Sequence, residues 1–499
     1  MPAPYAAAAD VLAAFLADAA RDAALPFVDV AAEYLGSAGT GEGPVSTART
    51  PQELVERFDE PLPRTGRPIA DVAARLARDV VADANRLHHP MYVGHQVGGP
   101  LPAATWAEVV VAALNQSIAV QEMSPTATAV EARVIQWMAD LAGLGPHAGG
   151  TFTSGGTEAT FAALLAARSR AIPDVWTKGV GAEPPVIVCG EHAHYAVARA
   201  AGEMGLGLDA VVHVASRDHR MDVAALDETL GTLERANRRV MAVVATAGST
   251  ATGSFDDLDA IADRCETRGV WLHVDGAHGA SALLAPEHAA RVRGIERAHS
   301  IAWDPHKMLL LPMAAGVVLV RDERWLEAAF AQHAPYLFTA DFVEGADPGD
   351  RVRDQGVRSF QCTRRADALK LWVAFQRYGA DGLGALYAHL CDTTRALHDL
   401  LAAHPRFVPL HEPECNILCF RWVGDGACDE DDLDLVNARA RARYNASGAG
   451  WITATVLGGR RVLRATVMNP RTTPAHLASL VDGLDAAARA EAASALRPA

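Results

Sequence analysis

A lysine that follows a Pro-His pair, Lys307 in Ser300-Ile-Ala-Trp-Asp-Pro-His-Lys-Met308, stands just ahead of an apolar run, Leu309 to Val320. Upstream, His273-Val-Asp-Gly-Ala-His278 puts Asp275 at the end of a hydrophobic strand. An amine that condenses with an aldehyde and a carboxylate that keeps a ring nitrogen protonated are a chemically meaningful pair. They are the two protein groups that an aldehyde-bearing pyridine cofactor needs most. Taken singly, Lys307 reads equally as a surface lysine and Asp275 as a strand-end turn residue.

Two further stretches could serve the same chemistry. Thr151-Phe-Thr-Ser-Gly-Gly-Thr-Glu-Ala-Thr160 precedes a helical pattern, Ala159 to Arg170. Glycines and hydroxyls at a helix start let backbone N–H groups close on a phosphate, and the helix dipole adds attraction. Serine or threonine capping with glycine also begins many ordinary helices. Glu191-His-Ala-His-Tyr-Ala-Val197 follows a strand and carries an H-x-H pair, His192 and His194. No carboxylate or cysteine cluster completes a metal ligand set there. An imidazole at a strand end can instead stack flat on an aromatic cofactor.

The elements that must position these groups lie between Gly150 and about Val320. Apolar runs (Val186 to Cys189, Ala210 to Val214, Val240 to Ala245, Val270 to Val274, Ser300 to Trp303, Gly316 to Val320) alternate there with helical patterns. Short continuous Val/Ile runs between helices predict a mostly parallel sheet covered on both faces, an α/β class. Ligands of such sheets bind beyond the carboxyl ends of the strands, where Asp275 falls. Helices are expected over Ala104 to Ala119, Ala127 to Leu144 and Asp367 to Tyr378. Residues 1–90 read as an N-terminal helical segment that wraps the rest or a second subunit. Residues 91–380 read as the large domain and 381–499 as a small α+β domain. The polar, glycine-containing stretch Thr339 to Gly356 reads as a loop that closes over substrate.

Composition narrows the classes. The 499 residues carry a formal net charge of −15, which argues against nucleic acid or anionic membrane as a main partner. The alanine-rich start, Met1 to Phe27, is interrupted by Asp10, Asp18, Arg21 and Asp22 and lacks the basic start of a signal peptide. No apolar run reaches the ~20 residues of a membrane span. Seven scattered cysteines without a CxxC pair fit a cytoplasmic protein with no disulfide framework and no structural zinc.

The joint pattern resembles the group II PLP-dependent amino acid decarboxylases. The resemblance rests on Thr153-Ser-Gly-Gly-Thr-Glu-Ala159, His194-Tyr195, Ala245-Thr-Ala-Gly-Ser-Thr250, His273-Val-Asp-Gly-Ala277 and Trp303-Asp-Pro-His-Lys-Met308. Ala334-Pro-Tyr-Leu-Phe338, Phe360-Gln-Cys-Thr-Arg-Arg365 with Lys370-Leu-Trp372, and Leu463-Arg-Ala-Thr-Val-Met-Asn-Pro470 extend it. It runs from about His89 to Val481, nearest the glutamate, cysteine sulfinate and diaminobutyrate decarboxylase branch. It implies the aspartate-aminotransferase-like fold (PLP fold type I), pyridoxal 5'-phosphate (PLP) as cofactor, and a homodimer with active sites at the interface.

By the same resemblance Lys307 would be the Schiff-base lysine, with His306 near the phosphate. His194 would stack on the ring, Asp275 would meet the pyridinium nitrogen, and Ala277 would lie against the ring. Gly155, Gly156 and Thr157 would hold the phosphate, and Thr246 would lie near the ring substituents. Tyr336 matches the tyrosine that returns a proton after CO2 leaves, and Arg464 the arginine that pairs with a substrate carboxylate. Arg464 before a β-run equally reads as a surface charge.

The sequence also departs from glutamate decarboxylases at several positions. Glutamate decarboxylases carry an aromatic residue where this chain has His278 and asparagine where it has Asp304. Their glutamine falls opposite His95, and their Asn and Phe fall opposite Ser117 and Ala119. The expectation is therefore a cytoplasmic amino acid decarboxylase whose side-chain specificity is not glutamate-like, with His95, Ser117 and Arg464 on the substrate. Rival expectations are an oxidative deaminase that releases an aldehyde on the same fold, and a non-catalytic scaffold. Retention of Tyr336 argues against the first, and retention of Lys307 and Asp275 against the second.

Overall fold

The computed structural model of the chain describes residues 4–47, 49–330, 354–426 and 428–495. The Val/Ile runs form β1 (Gly149–Thr153), β2 (Val186–Gly190), β3 (Val211–Val214), the hairpin β4 (Ser216–Arg217) and β5 (Arg220–Met221), β6 (Val240–Thr246), β7 (Trp271–Asp275), β8 (Ser300–Trp303) and β9 (Gly316–Val320). Seven of them make one sheet in the order β1-β9-β8-β7-β6-β2-β3. In it β9 pairs antiparallel with both neighbours, while β3, β2, β6, β7 and β8 pair in parallel. The carboxyl ends of β1, β2, β6, β7 and β8 therefore share one edge.

Both faces of this sheet are covered, which is why its strands read as continuous apolar runs rather than alternating ones. Side chains still alternate by position. Val243, Ala245, Leu272, Val274, Ile301 and Trp303 pack on one face, and Ala242, Val244, Trp271 and Ala302 on the other. Helix Gly156–Ala171 lies on the second face and is lined with alanines (Ala159, Ala162, Ala163, Ala166, Ala167), so its axis sits close to the strands. Helices Pro125–Leu141, Leu258–Arg268 and the first part of Ala368–Ala403 cover the other face.

A second, antiparallel sheet is built from β10 (Phe407–Pro409), β11 (Ile417–Trp422), β12 (Thr453–Leu457) and β13 (Arg460–Thr466) in the order β10-β11-β13-β12. Helices Glu430–Ala446 and Pro474–Ala495 complete its core around Phe420, Leu433, Leu463 and Leu480. The expected helix Asp367 to Tyr378 and its successor form one element, Ala368–Ala403, broken at Gly379 (φ 69°, ψ 167°). Only glycine takes that conformation without strain. The helix expected over Ala104 to Ala119 is shorter, Pro102–Leu114, because Asn115 enters the left-handed region (φ 47°) and ends it.

The N-terminal helices Pro4–Asp18, Arg21–Ala38, Pro51–Arg57 and Ile69–Asp79 carry exposed apolar side chains, with Val11, Phe15 and Leu16 exposed at 70%, 70% and 65%. Among the described residues no helix is long and apolar enough to cross a membrane. Tyr336 and most of the stretch Thr339 to Gly356 lie outside the described residues.

Candidate active site

The strand edge opens on a cavity of about 380 Å³. Gly155, Gly156, Thr157, His194, Thr246, Asp275, Ala277, His306 and Lys307, predicted from distant parts of the sequence, all line it. Each arrives at the end of a strand, in the turn that follows, or in the first turn of the helix beyond it.

From β1 the chain turns through Ser154 and Gly155 into helix Gly156–Ala171, whose N-terminus has no side-chain cap. Its first N–H groups are open to an anion. A Cβ on Gly156 would stand 2.8 Å from the Ala277 Cβ and 3.0 Å from Asp304 Oδ2, so only glycine fits. The Ser154 N–H donates to Glu158 Oε2 at 2.8 Å and fixes the turn. Behind β1, Arg364 donates to Glu131 and, at 3.1 Å, to Thr151 Oγ1, all of them buried.

After β2, the Ala196 N–H donates to His194 Nδ1 at 3.3 Å. The neutral ring therefore carries its proton on Nε2. Burial holds this imidazole below its usual range, although Asp275 pulls the other way. At the end of β6 the Thr246 N–H donates to Asp256 Oδ2 at 2.7 Å, and burial pushes the Asp256 carboxyl up to about 6. At the end of β7 the Ala277 N–H donates to Asp275 Oδ1 at 3.2 Å, leaving Asp275 buried on the cavity wall.

Lys307 follows β8. Its Nζ is 3.1 Å from Asp304 Oδ2, and His306 Nδ1 accepts the Ala315 N–H at 3.2 Å. The sequence contains three lysines, Lys178, Lys307 and Lys370. Lys178 is exposed and paired with Asp174. Lys370 is fully buried and held by Glu108, Asp367 and the carbonyls of Pro312 and Ala314. Lys307 is the lysine whose amine meets the cavity.

His278 also lines the cavity, and burial pushes its imidazole down to about 3. Its Nε2 lies 2.6 Å from Asn416 Oδ1 while Asn416 Nδ2 donates to the Val467 carbonyl at 2.9 Å. The ring is thus neutral and donates through Nε2–H, tying the end of β7 to the second sheet. Asn416 was missed in the sequence because nothing local marks a contact across 138 residues.

Three predicted substrate residues stand apart from the cavity wall. Arg464 on β13 is buried and reaches it indirectly, donating through Nη1 to the Thr250 carbonyl at 2.7 Å, and Thr250 lines the cavity. No carboxylate pairs with Arg464 among the described residues, and its Nε has no hydrogen-bond partner there. His95 is exposed; partial desolvation and the guanidiniums of Arg464 and Arg441 hold it below its usual range. The Ser117 hydroxyl accepts the Ala119 N–H at 3.3 Å and does not line the cavity within this chain.

These residues fit PLP. An uncapped helix start and a glycine cradle suit a phosphate, a buried carboxylate at a strand end suits a pyridinium nitrogen, and the Lys307 amine on the cavity wall suits an aldehyde. When bound, PLP supplies an electron sink for the pair left behind as a bond to the substrate Cα breaks. Among the described residues no group of three His, Cys, Asp or Glu side chains could hold a metal ion.

The pyridoxal-dependent decarboxylase conserved domain matches residues 51–423. L-2,4-diaminobutyrate decarboxylase of Rhizobium meliloti (strain 1021) is 37% identical over 437 residues, covering 87% of this chain and 85% of that protein. Cysteine sulfinic acid decarboxylase of Mus musculus is 33% identical over 380 residues, 75% of each chain. The crystal structure of mouse CSAD superposes with a TM-score of 0.87 at 28% identity, covering 94% of this chain and 98% of that one. A domain match across most of the chain, and relatives that agree along its length, place it: this chain belongs to the group II PLP-dependent amino acid decarboxylases.

Proposed function

We propose that the chain removes the α-carboxylate of L-2,4-diaminobutyrate, or of a similarly short amino acid with a side-chain amine, and that it does not prefer glutamate. Arg464 carries the part of this reading that places a carboxylate on the substrate. It is a buried cation with no carboxylate partner among the described residues, beside a cavity wall that already holds an amine and a carboxylate. A substrate carboxylate would supply the missing charge-assisted hydrogen bonds. The 37% identity to a diaminobutyrate decarboxylase favours an amine at the side-chain end, and so does His278, a neutral ring in place of the aromatic residue of glutamate decarboxylases.

In this reading Lys307 carries the cofactor, Asp275 keeps its ring nitrogen protonated, and His194 stacks on the ring and orients the substrate amine. Gly155, Gly156, Thr157 and His306 hold the phosphate, while Thr246 and Ala277 shape the ring slot. His95 and Ser117 meet the substrate from the rim, Ser117 from a second copy of the chain. The proton-return role of Tyr336 rests on the sequence alone, since that residue lies outside the described ones. A homodimer is supported by the exposed apolar side chains of the N-terminal helices, and a cytoplasmic setting by seven unpaired cysteines. The division at about residues 90 and 380 is part of the same proposal.

CO2 release from 2,4-diaminobutyrate, ornithine, cysteine sulfinate, aspartate and glutamate by the PLP-loaded enzyme tests the reading. The expected result is a kcat/KM for 2,4-diaminobutyrate at least about a hundredfold above that for glutamate, the discrimination a polar pocket can supply. Preference for an acidic substrate would overturn it.

A further inference from the structure

Asp304 is the charged residue in the cavity that the reaction does not call for. It is 1% exposed, with Oδ2 3.1 Å from Lys307 Nζ and 3.6 Å from His306 Nε2. Its Oδ1 is buried and has no hydrogen-bond partner among the described residues. A Cβ on Gly156 would lie 3.0 Å from Oδ2 and one on Gly316 2.8 Å from Oδ1. The carboxylate is therefore packed against the first residue of the uncapped helix Gly156–Ala171.

We propose that Asp304 weakens the chain's hold on its cofactor by opposing it at two points, the phosphate cradle and Lys307. The inference rests on reading Gly155 to Thr157 as that cradle and Lys307 as the cofactor lysine. A phosphate at the helix start brings a second anion against a buried carboxylate, where charges interact more strongly than in water. Lys307 adds to the opposition. As a free ammonium it offers three protons to its surroundings, Asp304 among them. To join the cofactor its nitrogen gives up protons and replaces the aldehyde oxygen, which leaves as water. The bonded nitrogen keeps at most one proton, so the contact with Asp304 is weakened and a buried carboxylate is left short of a partner. The remaining titratable neighbours, His194, His278 and His306, feel the Asp304 charge and are each held below the usual histidine range, chiefly by burial. None of them offers a standing positive charge in its place. Occupancy of the site would then follow the supply of cofactor rather than being permanent.

The test uses the full cofactor-free chain, titrated with PLP, with pyridoxal, which lacks the phosphate, and with inorganic phosphate. Asp304→Asn keeps the shape and removes the charge, and Asp304→Ser is the second neutral variant should the first not fold. The expected result is at least about tenfold tighter binding of PLP and of inorganic phosphate by the neutral variant, with a smaller gain for pyridoxal. A merely structural role predicts weaker binding and a lower melting temperature. Unchanged or weakened PLP affinity in a folded neutral variant overturns the proposal. Thr157→Val separates the two readings. If it leaves phosphate affinity untouched, the cradle is misplaced; if it weakens phosphate binding while Asp304→Asn does not tighten it, the inference about Asp304 fails.

Discussion

Asp275 sits buried at the end of β7 with one oxygen accepting the Ala277 N–H, so its carboxylate is fixed in direction as well as in place. Asp275→Asn preserves the size and removes the charge that would keep a ring nitrogen protonated. PLP should still bind, while kcat at saturating substrate falls by about a hundredfold or more. Steady-state kinetics beside a cofactor titration checks this, and an unchanged kcat would reduce Asp275 to a strand-end residue. The position of Lys307, Asp275 and the glycine turn at strand ends was legible in the sequence, because short apolar runs mark the strands they follow. The partners that aim the other groups were not. Arg464 is hydrogen-bonded to Thr250, 214 residues away, and His278 to Asn416, contacts that no local pattern announces.

At the scale of elements, the turn that follows Lys307 is held from outside by one side chain. Lys370, near the start of helix Ala368–Ala403, donates to the carbonyls of Pro312 and Ala314 and pairs with Glu108 on helix Pro102–Leu114. Lys370→Met leaves Glu108, Asp367 and two carbonyls without that cation in a buried place. Such a loss costs about 3–5 kcal/mol of stability, and denaturant unfolding would read it. A change below about 1 kcal/mol would mean that solvent already serves those groups. The existence of the helices was readable from their periodicity. Their ends depended on single residues, Asn115 in the left-handed region and Gly379 at the break, which periodicity does not see.

For the molecule as a whole, the α/β class followed from short apolar runs, because a sheet covered on both faces leaves no polar face to alternate with. Burial also sets a pH response. His273 and His299 are pushed down to about 4 and His278 to about 3, so all three are neutral in the fold, while the unfolded chain takes up protons below about 6.5. The unfolded state therefore binds more protons between about pH 6.5 and 4, and stability falls as pH drops through that window. Melting temperatures measured from pH 8 to 4.5 should decline below pH 6.5, and the slope should lessen in His273→Gln. An equal slope in that variant would place the acid sensitivity elsewhere.

Lys307 is proposed as the residue that carries the cofactor of this PLP-dependent amino acid decarboxylase. Borohydride reduction of the PLP-loaded chain, followed by protease digestion and peptide mass spectrometry, tests it most directly, since only three lysines could be labelled. A single pyridoxyl group is expected on the peptide containing Lys307, lost in Lys307→Ala together with CO2 release. A label on Lys178 or Lys370 instead, or decarboxylation that survives in Lys307→Ala, would contradict it.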